Sequence, residues 1–215
     1  MLLILLAFTD RLRSDRAVPR RQDLAWLTWG AVAAYLLHQF EEHGIDALGR
    51  AYGFRAGMCG VLGFPDAATC PIPEAFITAV NVPLVWIVGP IAALLAVRRP
   101  LIALGFFSVP LINAPAHILP ILAGQGYNSG VVTAIGVFLP LSLWALAVAV
   151  RRYGVGWRGV VLTDACGLLL HAILFGSARA FAAGLIGTDT LIVIQVINAA
   201  LPLAFMAVAG RIFRF

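Results

Sequence analysis

The sequence predicts an all-α, polytopic transmembrane helix bundle of about six spans with both termini cytoplasmic. Three observations lead there. Hydrophobic residues make up 61% of the 215 and charged residues 12%, with a mean hydropathy of +0.95; soluble domains are typically about 45–50% apolar and about 25% charged. Six mostly apolar stretches are present, at about 24–45, 74–97, 101–122, 130–150, 157–176 and 189–209, each near the roughly 20 residues a spanning helix needs. The arginines, finally, fall mainly in every second connection.

That alternation sets the expected orientation. Arg11, Arg13, Arg16, Arg20 and Arg21 precede the first span, Arg98 and Arg99 follow the second, Arg151, Arg152 and Arg158 follow the fourth, and Arg211 and Arg214 close the chain. The other connections hold only Arg50, Arg55 and Arg179. The positive-inside rule puts the first set in the cytoplasm, and six spans return the chain to its starting side. The expected location is a bacterial cytoplasmic membrane. The formal charge of +5 is all arginine, with no lysine; it reads as topology, with no nucleic-acid partner. Oligomeric state is left open.

Two regions are expected: an N-terminal cytoplasmic or interfacial segment over 1–23 and a single transmembrane domain over 24–215. Residues 1–8 form an apolar run too short to span, with no positive residue ahead of it as a signal peptide requires. An external loop at about 46–73 carries Gly53, Gly57, Gly60, Gly63, Pro65, Pro71 and Pro73, a density of breakers that argues against a continuous helix. It is either a lid or plug over the bundle or an ordered loop without chemistry. Cys59 and Cys70 lie in it, as a disulfide or as two free thiols; Cys166 reads as a small packing residue. Pro83, Pro90, Pro110, Pro115, Pro120, Pro140 and Pro202 punctuate the spans, which membrane helices tolerate. A kink at Pro115 would splay the outer end of the third helix, unless that proline is only a packing adaptation.

The candidate site begins at His38-Gln39-Phe40-Glu41-Glu42-His43. Ionisable residues in a span are rare and face a cavity, a partner or an ion. The chain has four histidines. His38, His117 and His171 lie about 14, 16 and 14 residues into three outward-running spans, roughly 21–24 Å from their inner ends. Asn81, Gln195 and Asn198 fall in or near the same layer. At about 100° per residue, Glu42 lies about 40° from His38 and Glu41 about 60° to its other side, while His43 lies about 140° away. His43 is therefore left outside the site.

Imidazoles and carboxylates at one depth suit a divalent transition metal: zinc first, with iron or manganese accepting the same ligands. His38, Glu42, His117 and His171 are the candidate ligands. In the inverted zinc-peptidase pattern, residues i and i+4 bind metal and the glutamate at i+3 is the base. By that analogy Glu41 is catalytic and handles protons, although exchanging the two glutamates fits nearly as well. Asn113, Asn81 and Asn198 are candidate donors that orient the ligands. Asp164, seven residues before His171, is a candidate proton relay or pairs with Arg158 or Arg152. Glu74 and Asp189 read as interfacial. There are too few histidines for the large histidine-rich di-iron sites, and too few inward carboxylates for a bundle-type di-iron cluster.

These residues resemble the bacterial membrane proteins named for their HXXEE motif, here His38-Gln39-Phe40-Glu41-Glu42. A second signature, Asn-x-x-x-His, matches Asn113-Ala114-Pro115-Ala116-His117, and a further helical histidine matches His171. The resemblance covers at least 24–176. It implies that these positions act as one unit with enzyme-like chemistry, and it supplies no substrate.

Three functions fit the cluster. The first is a metal-dependent membrane hydrolase of a lipid or other amphiphile, with an iron-dependent oxidoreductase as its variant. The second is a transporter coupled to protons or a divalent cation. The third is a structural protein whose polar residues pair across helices. The lipid bilayer is a partner in all three.

Overall fold

A computed structural model of the chain describes residues 1–64 and 66–213. Pro65 and Arg214, counted above among the loop breakers and terminal arginines, lie outside them. The described residues form eight helices and no strand: α1 (Leu2–Phe8), α2 (Leu24–His43), α3 (Gly53–Val61), α4 (Glu74–Leu95), α5 (Pro100–Leu122), α6 (Val131–Arg152), α7 (Trp157–Ala182) and α8 (Thr188–Ile212). The last five are long and apolar enough to cross a membrane. Helix α2 has 20 residues, but His38, Gln39, Glu41, Glu42 and His43 crowd its last turns and lower its hydropathy. The protein is an integral membrane protein with about six spans.

Helix α5 is the axis of the bundle. It touches all the others of that set, which surround it in the order α7, α8, α4, α2, α6. Phe106 and Phe107 are wholly buried in its first half. Glycines let backbones approach closely. A Cβ on Gly105 would stand 2.6 Å from the Pro202 carbonyl oxygen on α8, and one on Gly167 of α7 would collide with the Ser108 carbonyl of α5. Asp23 starts α2 by accepting the backbone N–H groups of Ala25 (2.9 Å) and Trp26 (3.2 Å), the usual role of an N-cap carboxylate.

Helix α5 continues through Pro110, Pro115 and Pro120. The irregularities lie ahead of Pro90 and Pro140, where α4 and α6 widen into π-turns at Leu84–Val88 and Ala134–Phe138. There the Gly89 and Leu139 N–H groups bond five residues back, to Leu84 and Ala134. A proline ring cannot seat against the carbonyl four residues earlier, and one extra residue in the turn relieves the clash. The α6 turn brings Phe138 under the site.

The loop rich in breakers contains a helix after all. Helix α3 holds Gly57 and Gly60, and chain reversal waits for Gly63, whose φ is +92°. Packing overrides the glycine penalty: Met58 and Cys59 are buried against Phe76 of α4, Ala178 of α7 and Leu191 of α8. Cys59 and Cys70 form a disulfide, which ties α3 to the approach to α4.

Candidate metal centre

Three side chains from two helices meet at the end of α2. Glu42 Oε1 lies 3.3 Å from His38 Nε2 and 3.2 Å from His117 Nε2. One ligand atom from each of these residues falls within 4.8 Å of the other two, and all three residues are buried. His38 and Glu42 are one turn apart on α2, and His117 comes across from α5.

Hydrogen bonds fix how the rings face. His117 Nδ1 is 2.6 Å from Asn128 Oδ1, whose own Nδ2 donates to the His117 carbonyl at 2.9 Å. That second bond sets the amide, so His117 Nδ1 is the donor. His38 Nδ1 is 2.7 Å from Thr133 Oγ1. The single hydroxyl proton goes to Glu41 Oε2 at 2.6 Å, so His38 Nδ1 also donates. In the neutral rings both Nε2 atoms then present lone pairs to a carboxylate oxygen. His38 Nε2 and Glu42 Oε1 are buried with no hydrogen-bond partner among the described residues. Three acceptors without a donor repel unless a proton or a cation sits between them. The two separations from Glu42 Oε1 suit a cation, since two atoms held tetrahedrally by zinc at about 2.0–2.1 Å lie about 3.3 Å apart.

Glu41 sits elsewhere. Its carboxylate accepts the N–H of Val132 (3.1 Å), the N–H of Thr133 (2.8 Å), the Thr133 hydroxyl and the Tyr127 hydroxyl (2.9 Å). Helix α6 begins at Gly130 with no side-chain cap of its own. Its exposed N–H groups and positive end take a carboxylate from α2 instead. The spacing analogy gave Glu41 the proton; the geometry gives it the start of α6, and Glu42 rather than Glu41 lines the cavity described next.

A cavity of about 360 Å3 adjoins the cluster on the side of Glu42 and His117. Asn113 and His171 face it, and Phe54, Met58, Phe76, Leu84, Leu174 and Phe175 supply apolar wall. His171 Nδ1 donates to the Gly167 carbonyl at 2.8 Å, which leaves its Nε2 as a lone pair. His171 shares the layer and the cavity but stands outside the group of three. Asn198 Nδ2 donates to the Leu170 carbonyl at 3.0 Å, beside His171. Asn81 Nδ2 lies 3.3 Å from His43 Nε2, which is in turn 3.6 Å from the other Glu42 oxygen. Gln195 bonds Ser177 at 2.6 Å. Asp164 is half-buried and pairs with neither arginine suggested for it: Arg152 reaches Gln22, and Arg158 lies over the Trp157 ring.

Four contributors escaped the sequence reading: Tyr127, Asn128, Gly130 and Thr133. Gly130 has φ +95°, and a Cβ there would stand 2.7 Å from Cε1 of both His38 and His117. The available signal was Tyr127-Asn128-Ser129-Gly130, a polar turn ending in glycine directly before an apolar span.

Asp46 clasps this turn. It accepts Ser129 Oγ at 3.0 Å, Arg50 Nε at 2.9 Å and the N–H groups of Leu48 and Arg50. Burial alone would raise its pKa, but the bonds from Arg50, Ser129 and Leu48 outweigh it and hold the carboxyl at about 2, against an ordinary 3.8. A depressed folded-state value adds stability that is complete above about pH 4 and lost as pH falls through about 2. Asp46→Asn is expected to lower the unfolding midpoint at pH 7 and to approach wild type near pH 2. An equal deficit at both pH values would show that the clasp does not work through its charge.

No curated protein and no solved structure matches the chain. A family model described as protein of unknown function with HXXEE motif matches residues 29–145. That stretch, just over half the chain, runs from α2 into α6 and contains His38, Glu41, Glu42, His117, Gly130 and Thr133; His171 lies beyond it. By this match, and by the motif that builds its buried cluster, the chain belongs to the HXXEE-motif family.

Proposed function

We propose that the protein is a metal-dependent membrane enzyme, a hydrolase of a lipid or other amphiphile, whose divalent cation is held by His38, Glu42 and His117. The observation that carries this reading is the convergence of three buried side chains, His38, Glu42 and His117, whose ligand atoms lie within 4.8 Å of one another. Zinc fits the donor set first, and iron or manganese would accept it. Bound there, the cation would supply Lewis acidity and lower the pKa of a water in its open position. Glu42 and His117 line the cavity and His38 does not, so that position faces the cavity.

The remaining residues take roles from their placement. Thr133 and Asn128 hold the two imidazoles with Nε2 toward the ion. Glu41 positions Thr133 by anchoring the start of α6. His171 offers Nε2 across the cavity as a proton acceptor, and the apolar wall favours a substrate that partitions into the bilayer. The proposed orientation puts the site in the outer half of a bacterial cytoplasmic membrane, with both termini inside. Two features support it: arginines concentrate at the opposite end of the bundle, and the disulfide lies at the site end, as in an oxidising compartment.

Elemental analysis of untagged protein in mild detergent tests the reading. Wild type is expected to carry near-stoichiometric zinc, iron or manganese. His38→Ala and His117→Ala are expected to lose it, and His171→Ala to keep it. Metal-free wild type, even after reconstitution, would overturn the enzyme reading in favour of proton-coupled transport through the same cluster.

A further inference from the structure

We infer that a crevice at the arginine-rich end of the bundle binds the phosphate of an anionic phospholipid through Arg98 and Arg99. The inference is independent of the metal centre, which lies at the other end. A second cavity, of about 140 Å3, sits there between the α4–α5 connection, the α6–α7 connection and α8. Arg98 and Arg99 line it, and no acidic residue does. Both are exposed, and neither has an ion-pair partner among the described residues. Other arginines at this end are engaged: Arg13 and Arg20 share Asp10, Arg152 reaches Gln22, and Arg158 lies over the Trp157 ring. Helix α5 starts at Pro100 on the same wall with no side-chain cap, so its positive end adds to theirs.

Charge alone would suit any anion, and the rest of the wall narrows the choice. Leu101, Val155 and Met206 are buried apolar residues that line the same cavity. A free phosphate gains nothing from them. A phospholipid carries its phosphate one glycerol away from its acyl chains, so one molecule meets both kinds of wall. The cavity lies where the spans end, the depth at which basic pockets between helices hold anionic headgroups. It has room for a headgroup, while the chains stay in the bilayer. Gly210 of α8 keeps part of this space open: it lines the cavity, and a Cβ there would stand 3.7 Å from Leu101 Cδ1, an ordinary contact. A longer side chain at this position would take up the cavity without removing charge.

Native mass spectrometry of full-length protein in mild detergent tests the site. The probes are dioleoylphosphatidylglycerol and dioleoylphosphatidylcholine at equal concentration. Wild type is expected to bind its first phosphatidylglycerol about tenfold tighter than phosphatidylcholine. Arg98→Gln combined with Arg99→Gln is expected to abolish that preference. Arg151→Gln combined with Arg152→Gln removes the same charge from the same end, outside the cavity, and is expected to keep it. Gly210→Leu retains every arginine and is expected to lose it. Inorganic phosphate in large excess is expected to leave phosphatidylglycerol bound. Equal binding of the two lipids would overturn the inference. An equal loss in the Arg151 and Arg152 variant would do so too, by showing that only the general positive field attracts lipid. A preference that survives in Gly210→Leu would take the lipid out of the cavity. Displacement by inorganic phosphate would leave a simple anion site and overturn the choice of a phospholipid.

Discussion

Glu42→Gln is expected to abolish metal binding and, at the same time, to stabilise the metal-free protein. In the wild type, Glu42 Oε1 faces the lone pairs of His38 Nε2 and His117 Nε2 at 3.3 and 3.2 Å. A glutamine amide nitrogen in its place carries two hydrogens and meets two acceptors. Each new bond is worth about 1 kcal/mol, so the midpoint in the presence of a chelator should rise. Metal affinity should fall at least about a hundredfold, beyond what losing a supporting bond costs. A structural cluster of carboxylate and protonated histidine predicts the reverse. Breaking a buried ion pair on one side costs about 3–5 kcal/mol. Thermal unfolding with and without chelator, beside zinc content, separates the two: a large loss of stability without metal would sink the metal centre.

Gly130→Ala is expected to damage the fold and the metal centre together. A side chain at φ +95° costs roughly 1–2 kcal/mol. The added Cβ would lie 2.7 Å from both imidazoles, and relieving that overlap costs about 1–3 kcal/mol more. The rings can yield only by spreading, which opens the three-atom cluster. The expected result is about 3 kcal/mol of lost stability and at least about a tenfold loss of metal affinity. Gly176→Ala is the control: it lies within α7 with nothing near its Cβ position, and alanine in a helix interior is neutral or stabilising. If both variants carried metal equally, Gly130 would have no part in shaping the site.

The depth of the site could be read from the chain because it follows from helical rise. Counting residues from the span ends placed His38, His117 and His171 in one layer, and the structure brings His38 and His117 to a ring separation of 5.0 Å. Helical phase likewise put Glu42 on the His38 face. Partners from distant segments were beyond the same arithmetic. Thr133 meets Glu41 across 92 positions, and no local spacing links them. The two glutamates differ by one residue and 100° of phase, so their division of labour depended on which neighbouring helix stood on each side. Helix α3 was hidden because local glycine content opposes it and only its packing with Phe76, Ala178 and Leu191 supports it.

The Glu41 bridge also bears on biogenesis. Until α2 is beside it, α6 enters the bilayer with the Val132 and Thr133 amides unsatisfied, and until α6 arrives, Glu41 is an unpaired carboxylate at the end of an apolar helix. Either state is costly in hydrocarbon. Each helix removes the other's defect, so α2 and α6 should settle as a pair although two spans are synthesised between them. The same docking delivers Gly130 and Thr133 to His38. A nascent chain that has released α2 through α5 therefore holds His38, His117 and Glu42 but cannot yet orient them, and competence to bind an ion would begin only when α6 inserts.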